Sequence, residues 1–165
     1  MLEQVQIRRA RESDAASLRD AFKAVAAEKW YLATVDGFSL EQTRAFLKAV
    51  LDDSQPQVMA IVADQVVGFC DILANPAKGF THVGRLGMGV RSEWRRQGIG
   101  RGMLDACLSL ARKTAIEKVE LDVYSDNLAA VRLYESCGFR AEGLKVRGRK
   151  LEGRYQDVQL MALWL

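Results

Sequence analysis

A run of glycines and arginines at the start of an amphipathic helix constrains this chain more than any other pattern. Residues 95–102 read RRQGIGRG, and apolar residues after them recur at the three-to-four spacing of a helix. Glycine weakens a helix by roughly 1 kcal/mol relative to alanine, and helix starts ordinarily favour acidic side chains. An anion bound to the free backbone N–H groups of the helix start would explain both departures.

We interpret this helix start as a binding site for a pyrophosphate group. Glycine lets a phosphate approach the backbone, and arginine adds positive charge. The assigned residues are Arg95, Arg96, Gln97, Gly98, Ile99, Gly100 and Arg101. The alternative is a glycine-rich turn whose arginines are only solvated, and the neighbouring elements must decide between the two.

Apolar periodicity and capping signals predict four helices. Ser13 or Asp14 is expected to cap the first, and Ser39 with Gln42 three residues later forms a capping box at the start of the second. A glycine followed by an apolar residue is typical of a helix end, as at Gly138. The four helices are expected to end near residue 30, near residues 52–53, near residue 111 and at residue 138.

Seven strands are predicted from alternating or β-branched apolar runs. Residues 57–63 and 66–73 should form a tight antiparallel hairpin around residues 64–65. The strand over residues 80–90 contains several glycines, which mark a bulge or a close approach of backbone. The remaining strands cover residues 5–9, 119–124, 140–149 and 155–165, with a turn at residues 152–153 before the last.

The length and composition fit one globular domain over residues 1–165, which are 49% hydrophobic and 27% charged. A net charge of +3 is too small to indicate nucleic-acid binding as a main role. Three widely spaced cysteines in apolar segments are typical of reduced core thiols, which favours a cytoplasmic protein. Residues 1–4 lack a signal-sequence pattern, and no apolar run approaches the roughly 18 residues of a membrane span. We therefore expect neither export nor membrane insertion.

Three residues of the fourth predicted helix share one face. Asn127, Ala130 and Tyr134 lie at i, i+3 and i+7. The small alanine between two polar side chains leaves a groove in which an extended ligand arm could lie, hydrogen-bonded to Asn127 and Tyr134. The simpler alternative makes Asn127 a helix cap and Tyr134 a core aromatic.

Together, these two patterns resemble those of the GNAT superfamily of acetyl-CoA-dependent N-acetyltransferases. Residues 95–100 match its Q/R-x-x-G-x-G/A pyrophosphate motif, and residues 127–139 match its second signature, in which Asn, Ala, Tyr and Gly-Phe recur at these separations. The resemblance is close over residues 81–139, and the region around residues 155–157 is similar to a bacterial subgroup of small-molecule acetyltransferases. It implies an α/β fold with a mixed, mostly antiparallel sheet of about seven strands flanked by helices on both faces.

The resemblance also implies roles for individual residues. Acetyl-CoA would be the co-substrate, with no metal, and a bulged strand over residues 86–90 would pair with its pantetheine arm. Met88, Gly89 and Val90 would lie beside that arm, with an amide near Met88 or Gly89 forming an oxyanion hole. Tyr134 would be the general acid, because a phenol of pKa about 10 stays protonated at neutral pH and can protonate a departing thiolate. Transfer would be direct, since the cysteines have no neighbouring histidine.

The base and the acceptor site are less constrained. Each candidate base has a simpler structural role as its alternative, and the candidates are His82, Glu120, Asp122 and Glu28. Trp30 and Tyr31 are the candidate substrate-binding residues, because aromatics in the loop between the first two helices suggest a partly apolar amine. A basic cluster at residues 145–154 could bind a carboxylate or could be a solvated face.

Competing interpretations come from other nucleotide-binding patterns and from a different functional class. A Rossmann-type oxidoreductase would use Gly98, Gly100 and Glu120, but the third glycine is displaced and Glu120 falls inside its strand. A phosphate-loop NTPase would need a Gly-Lys-Ser/Thr sequence after the glycines, and none follows them here. A non-catalytic acyl-CoA sensor or interaction domain and the acetylation of a protein N-terminus stay as alternatives. We expect a small-molecule amine or amino acid as partner, neither nucleic acid nor membrane, and leave a homodimer open.

Overall fold

A seven-stranded sheet forms the centre of the computed structural model, which describes residues 4–165. Its strands are β1 (Gln6–Arg9), β2 (Gln57–Val62), β3 (Gln65–Ala74), β4 (Val83–Val90), β5 (Lys118–Tyr124), β6 (Arg140–Leu151) and β7 (Arg154–Trp164). They lie in the order β1-β2-β3-β4-β5-β7-β6, and β4 and β5 form the parallel pair of an otherwise antiparallel sheet. The predicted mixed sheet is confirmed. Residues 1–3, part of the segment inspected for a signal sequence, lie outside the described residues.

Helices cover both faces of this sheet, as predicted. The four helices are α1 (Ala15–Ala27), α2 (Leu40–Asp52), α3 (Ile99–Ala111) and α4 (Leu128–Ser136). Leu18 of α1 and Leu47 of α2 pack with Phe69 of β3 on one face. On the other face, Met103 of α3 and Tyr134 of α4 belong to a larger apolar cluster with side chains of β2 to β5. Among residues 4–165, no helix combines the length and the apolar character needed to cross a membrane.

Several predicted boundaries differ from the structure for local reasons. The hairpin turn consists of Ala63 and Asp64, one residue earlier than expected, and both have positive φ, 45° and 61°. Such a two-residue turn matches the twist of the strands that it joins. β4 begins at Val83 because Lys78–Phe80 form a short 3-10 helix. Asp14 does not cap α1 with its side chain, because its carboxylate accepts hydrogen bonds from Arg8 and from the Arg11 N–H at 2.8 and 2.7 Å.

The capping box of α2 is formed as predicted, and its removal should destabilise the protein. The Ser39 hydroxyl accepts from the Gln42 N–H at 3.1 Å, and the Gln42 side chain accepts from the Ser39 N–H at 2.9 Å. We expect Ser39→Ala to lower the free energy of unfolding by about 1 kcal/mol in chemical denaturation. Ser109→Ala, on the exposed surface of α3, is the matched control and should cost nothing, since alanine has the higher helix propensity. Equal effects of the two changes would contradict a capping role.

Candidate active site

A cleft opens where β4 and β5 separate. The two strands pair only from Val83 with Lys118 to Arg85 with Glu120, so the edge of β4 at residues 86–90 has no strand partner on that side. The bulge expected in this segment is wrong: the register of β4 with β3 runs without a shift from Gly84 to Val90. The cleft therefore comes from the divergence of two parallel strands. Glycine at position 89 serves packing, because a Cβ there would lie 2.5 Å from the Phe69 ring.

The alternation of peptide groups along β4 selects one amide that faces the cleft. The Arg91 N–H donates to the Val67 oxygen, and the Asn75 N–H donates to the Val83 oxygen. Because hydrogen-bonding groups of a strand alternate between its two edges, the odd-numbered residues of β4 bond toward β3. The Met88 N–H then points into the cleft, whereas that of Gly89 is turned toward β3.

The glycine-rich helix start presents a series of free N–H groups. Gly98 is the N-cap of α3 with φ 79°, and Arg96 also has a left-handed backbone with φ 59°. The first intrahelical bond runs from the Gly102 N–H to the Gly98 oxygen. Within the described residues, the N–H groups of 96–101 have no backbone acceptor, and alternating backbone conformations of this kind form anion-binding concavities.

The three arginines of this segment have different surroundings. Arg95 is turned toward α1: it donates to the Val90 oxygen and to Glu28, each at 2.8 Å, and its guanidinium stacks on Tyr31. Its charge is therefore already paired, contrary to the expectation that it adds positive charge for a phosphate. Arg101 pairs with Asp105 on the next turn of α3. Arg96 is exposed, lines the cleft and forms no ion pair within residues 4–165.

Asn127 and Tyr134 of α4 have structural roles and also line the cleft. The Asn127 side chain caps the helix by accepting from the Ala130 N–H at 3.3 Å. Tyr134 is only 7% exposed and packs against Phe139. Even so, Asn127, Ala130 and Tyr134 all line the cleft. Burial raises the pKa of Tyr134 above its ordinary value, so its hydroxyl stays protonated over the whole neutral range.

The cleft has a volume of about 1140 Å³ and crosses the sheet through the opening between β4 and β5. It brings together nearly all of the predicted cofactor residues, from β4, the α3 start and α4, and Gln97 is the exception. Gln97 is exposed, and its side chain reaches the Glu93 oxygen at 3.3 Å.

On the other side of the sheet, the loop between α1 and α2 is attached to the β6–β7 hairpin. Arg154 stacks on Trp30 at 3.7 Å, Arg149 donates to the Lys29 oxygen at 2.8 Å, and Lys29 pairs with Glu152. Two members of the basic cluster, Arg149 and Arg154, therefore hold this loop. Tyr31 lines the cleft, whereas Trp30 lies outside it against the hairpin.

Of the four candidate bases, Asp122 alone lines this cleft. Its carboxylate is bound by Arg85 at 2.9 Å and by Lys145 at 3.2 Å. Glu28 is paired with Arg95, and Glu120 lies in a neighbouring cavity and pairs with Lys118. His82 does not line the cleft, and its backbone oxygen accepts a hydrogen bond from the Glu117 N–H at 2.8 Å.

Sequence reasoning missed one ionisable group, Asp71 of β3. Burial raises the pKa of Asp71 to about 7, although hydrogen bonding to Gln57 acts in the opposite direction. No sequence motif contains Asp71, because a single aspartate in a β-branched strand belongs to no pattern. Only the packing of three strands shows where it lies.

The raised pKa of Asp71 predicts a pH-dependent stability. The folded state binds the proton more tightly than the unfolded chain, so this group lowers stability as pH rises from about 4 through about 7. We expect Asp71→Asn to raise the free energy of unfolding by about 2 kcal/mol near pH 8, after allowance for the partly exposed position. Urea denaturation should show the two proteins converging near pH 4, and a gain that is constant with pH would contradict the assignment.

The fold agrees with that of known proteins. A family model described as the Acetyltransferase (GNAT) family matches residues 19–139. The chain belongs to the GNAT family. The acetyltransferase of GNAT family from Streptococcus pneumoniae has a solved structure that is 28% identical, with a TM-score of 0.91 over 98% of this GNAT chain and 100% of that one. The structure of yncA from Salmonella typhimurium, with its cofactor acetyl-CoA, has a TM-score of 0.91 at 20% identity, covers 97% and 93% of the two chains, and shows the same fold.

One curated relative carries a more specific name. The L-amino acid N-acetyltransferase of Escherichia coli (strain K12) is 30% identical over 110 residues, which are 64% of this GNAT chain and 66% of that protein. The match thus covers slightly less than two thirds of the relative's length.

Proposed function

We propose that this GNAT protein is an acetyl-CoA-dependent N-acetyltransferase that moves an acetyl group directly to a primary amine of a small molecule or amino acid. One observation carries the proposal: the free N–H groups of the α3 start, the Met88 amide and the Tyr134 side chain line one continuous cleft. A pyrophosphate site, an oxyanion donor and a proton donor are the three parts that such a transfer needs.

The residues present fit coenzyme A. Among residues 4–165, the N–H groups of 96–101 have no backbone acceptor and Arg96 has no ion partner, which suits a diphosphate. The open edge of β4 suits an amide-containing arm. Asn127 and Ala130 border that edge from α4. Bound acetyl-CoA supplies an activated acetyl thioester. Around it, the Met88 N–H would stabilise negative charge on the acetyl oxygen, which can be worth about 3 kcal/mol.

Tyr134 would act as the proton donor to the departing sulfur. Burial raises the pKa of Tyr134 because it disfavours the charged phenolate. Burial in the same cleft disfavours the charged thiolate and so raises the pKa of the thiol as well. The two groups therefore stay matched as a donor and an acceptor of one proton.

The acceptor would enter from the side of the α1–α2 loop. Tyr31, Asp122 and Lys145 line this part of the cleft, so apolar, acidic and basic groups are all available. This mixture suits a zwitterion better than a polyamine, and the named activity of the curated L-amino acid relative supports the same class. We further infer a cytoplasmic, bacterial protein, which the bacterial sources of the relatives and the three free cysteines favour.

Free-thiol release from acetyl-CoA tests this function. The acceptor panel contains amino acids, polyamines, aminoglycosides and short peptides, so that a peptide signal would reveal N-terminal acetylation instead. We expect turnover with amino acids above all. If acetyl-CoA binds but no acceptor releases thiol, the sensor alternative is correct.

A further inference from the structure

Asp71 faces the acceptor side of the sheet, beside the cleft. It is the middle member of a row across three strands, opposite Gln57 in β2 and Gly87 in β4. Its neighbours along β3, Cys70 and Ile72, belong to the core on the α3 side, so the Asp71 side chain points to the other face, where the α1–α2 loop lies.

Gly87 leaves this carboxylate uncovered on the side of the cleft. A Cβ at position 87 would lie 3.4 Å from Asp71 Oδ1, an ordinary contact distance, and Gly87 does not have a positive φ. Neither packing nor backbone conformation therefore requires glycine here, in contrast to Gly89. The effect of glycine is that no side chain separates Asp71 from the open edge of β4.

A cavity beside the carboxylate shares part of its wall with the cleft. Asp71 lines a space of about 420 Å³ together with Leu86 and Gly87, and both of those residues also line the cleft. Arg85 and Glu120 are the charged groups that share this cavity with Asp71, and they are engaged with Asp122 and Lys118 respectively. The carboxylate and the cleft therefore lie on either side of the same stretch of β4, where position 87 carries no side chain.

Gln57 suits both protonation states of Asp71. Its side chain is 2% exposed, and its Oε1 has no hydrogen-bond partner within the described residues. The amide can donate to an ionised Asp71 through Nε2, and after a flip it can accept from a protonated Asp71 through Oε1. The flip exchanges one hydrogen bond for the other, so the pair keeps a hydrogen bond in both protonation states.

The other nearby carboxylates are held by cations. Asp122 would give up ion pairs with Arg85 and Lys145 on accepting a proton, and Glu28 would give up that with Arg95. Asp71 has no ion pair with a lysine or arginine in residues 4–165. Its raised pKa agrees with a group that gains and loses a proton near neutral pH.

We propose that Asp71 is the proton acceptor of the acetyl transfer and that the acceptor amine reaches it across Gly87. The inference rests on the proposed function. Asp71 takes one proton from the ammonium group, whose N–H electron pair stays on nitrogen and forms the C–N bond with the acetyl carbon. The second N–H proton leaves to solvent, the C–S bond breaks, and Tyr134 protonates the sulfur. Asp71 then releases its proton to solvent, and Tyr134 takes a proton from solvent. Two protons leave the ammonium group and one ends on the sulfur, so one proton is released overall.

The first test compares the pH dependence of kcat/KM in Asp71→Asn with that in Glu120→Gln, a carboxylate of the same cavity. The native protein should show an acid limb near pH 7. With an acceptor that is protonated at neutral pH, Asp71→Asn should lower kcat/KM about 100-fold. The acid limb of the variant's pH profile should move to the pKa of the amine. An acceptor amine of low pKa should recover most of the rate, and Glu120→Gln should keep the native profile. Coenzyme A affinity should be unchanged in both variants.

The second test observes the carboxyl group without any reaction. In the protein labelled with 13C at aspartate carboxyl groups, one resonance that disappears in Asp71→Asn should titrate near pH 7 without ligands. Gly87→Ala should move this titration to higher pH, because the added methyl covers the carboxylate, and should lower kcat/KM about tenfold.

The outcomes separate the two proposals. A native protein that transfers no acetyl group to any acceptor would overturn the proposed function and this inference with it. An active native protein whose Asp71→Asn variant keeps kcat/KM and its acid limb would overturn the inference alone. The same holds if the Asp71 resonance titrates near pH 4, the ordinary range of a carboxyl group.

Discussion

Replacing Gly98 by aspartate should raise the dissociation constant for acetyl-CoA about 100-fold. The substitution puts a carboxylate at the N-cap of α3, beside the free N–H groups proposed to hold the diphosphate. Two unit charges about 5 Å apart repel by roughly 3 kcal/mol at an effective dielectric constant of about 20, which corresponds to about 100-fold in affinity. Calorimetric titration with acetyl-CoA measures this change directly.

Gly153 provides a matched control for this prediction. Its φ is 80° against 79° for Gly98, and a Cβ at either position would meet nothing within 4 Å. Gly98→Asp and Gly153→Asp should therefore lose similar stability, about 1 kcal/mol each, because both force a side chain into the left-handed region. Only the first should weaken binding. If both variants bind acetyl-CoA as tightly as the native protein, the diphosphate does not lie at the start of α3.

Removal of the Tyr134 hydroxyl should lower kcat about 1000-fold and leave the dissociation constant of coenzyme A nearly unchanged. The hydroxyl is proposed to act when the C–S bond breaks, so its loss should affect the transition state far more than the ground state. Tyr134→Phe should also preserve folding, since the ring keeps its contacts with Phe139 and the apolar cluster. Steady-state kinetics and coenzyme A titration give the two quantities.

Tyr155→Phe removes the same hydroxyl from a tyrosine that does not line the cleft. Tyr155 is 48% exposed on β7, where it stacks with Arg147 and Lys150. Its variant should retain native kcat. An unaltered kcat in Tyr134→Phe would remove the general acid from the mechanism, and a parallel loss in both variants would point to a change in folding instead.

The sequence predicted most of the fold because its signals are local. The Ser39–Gln42 capping box, the left-handed glycine at Gly138 and the amphipathic helices depend on residues within a few positions of one another, and each is confirmed. Some boundaries differ: β4 starts three residues later than expected, and the hairpin turn is shifted by one residue. Such shifts depend on how neighbouring strands pair, which periodicity alone does not specify.

The same distinction between local and long-range signals holds for the candidate site. Its glycine-rich helix start and the α4 face were visible because each is one continuous segment of chain. The surroundings of Arg95 were not, because its partner Glu28 lies 67 residues away and the sequence contains many other acids. The same is true of Arg149, which bonds the loop at Lys29 across 120 residues.

The sequence by itself determined the family, the order of the elements and the proposed place of the diphosphate, since backbone conformation and short motifs are properties of adjacent residues. Tertiary structure alone decided which β4 amide faces the cleft, that Arg95 is paired with Glu28, and that Asp71 lies next to Gly87. The physical reason is that burial and charge pairing depend on distances between strands, and the chain fixes those distances only when the whole sheet has formed.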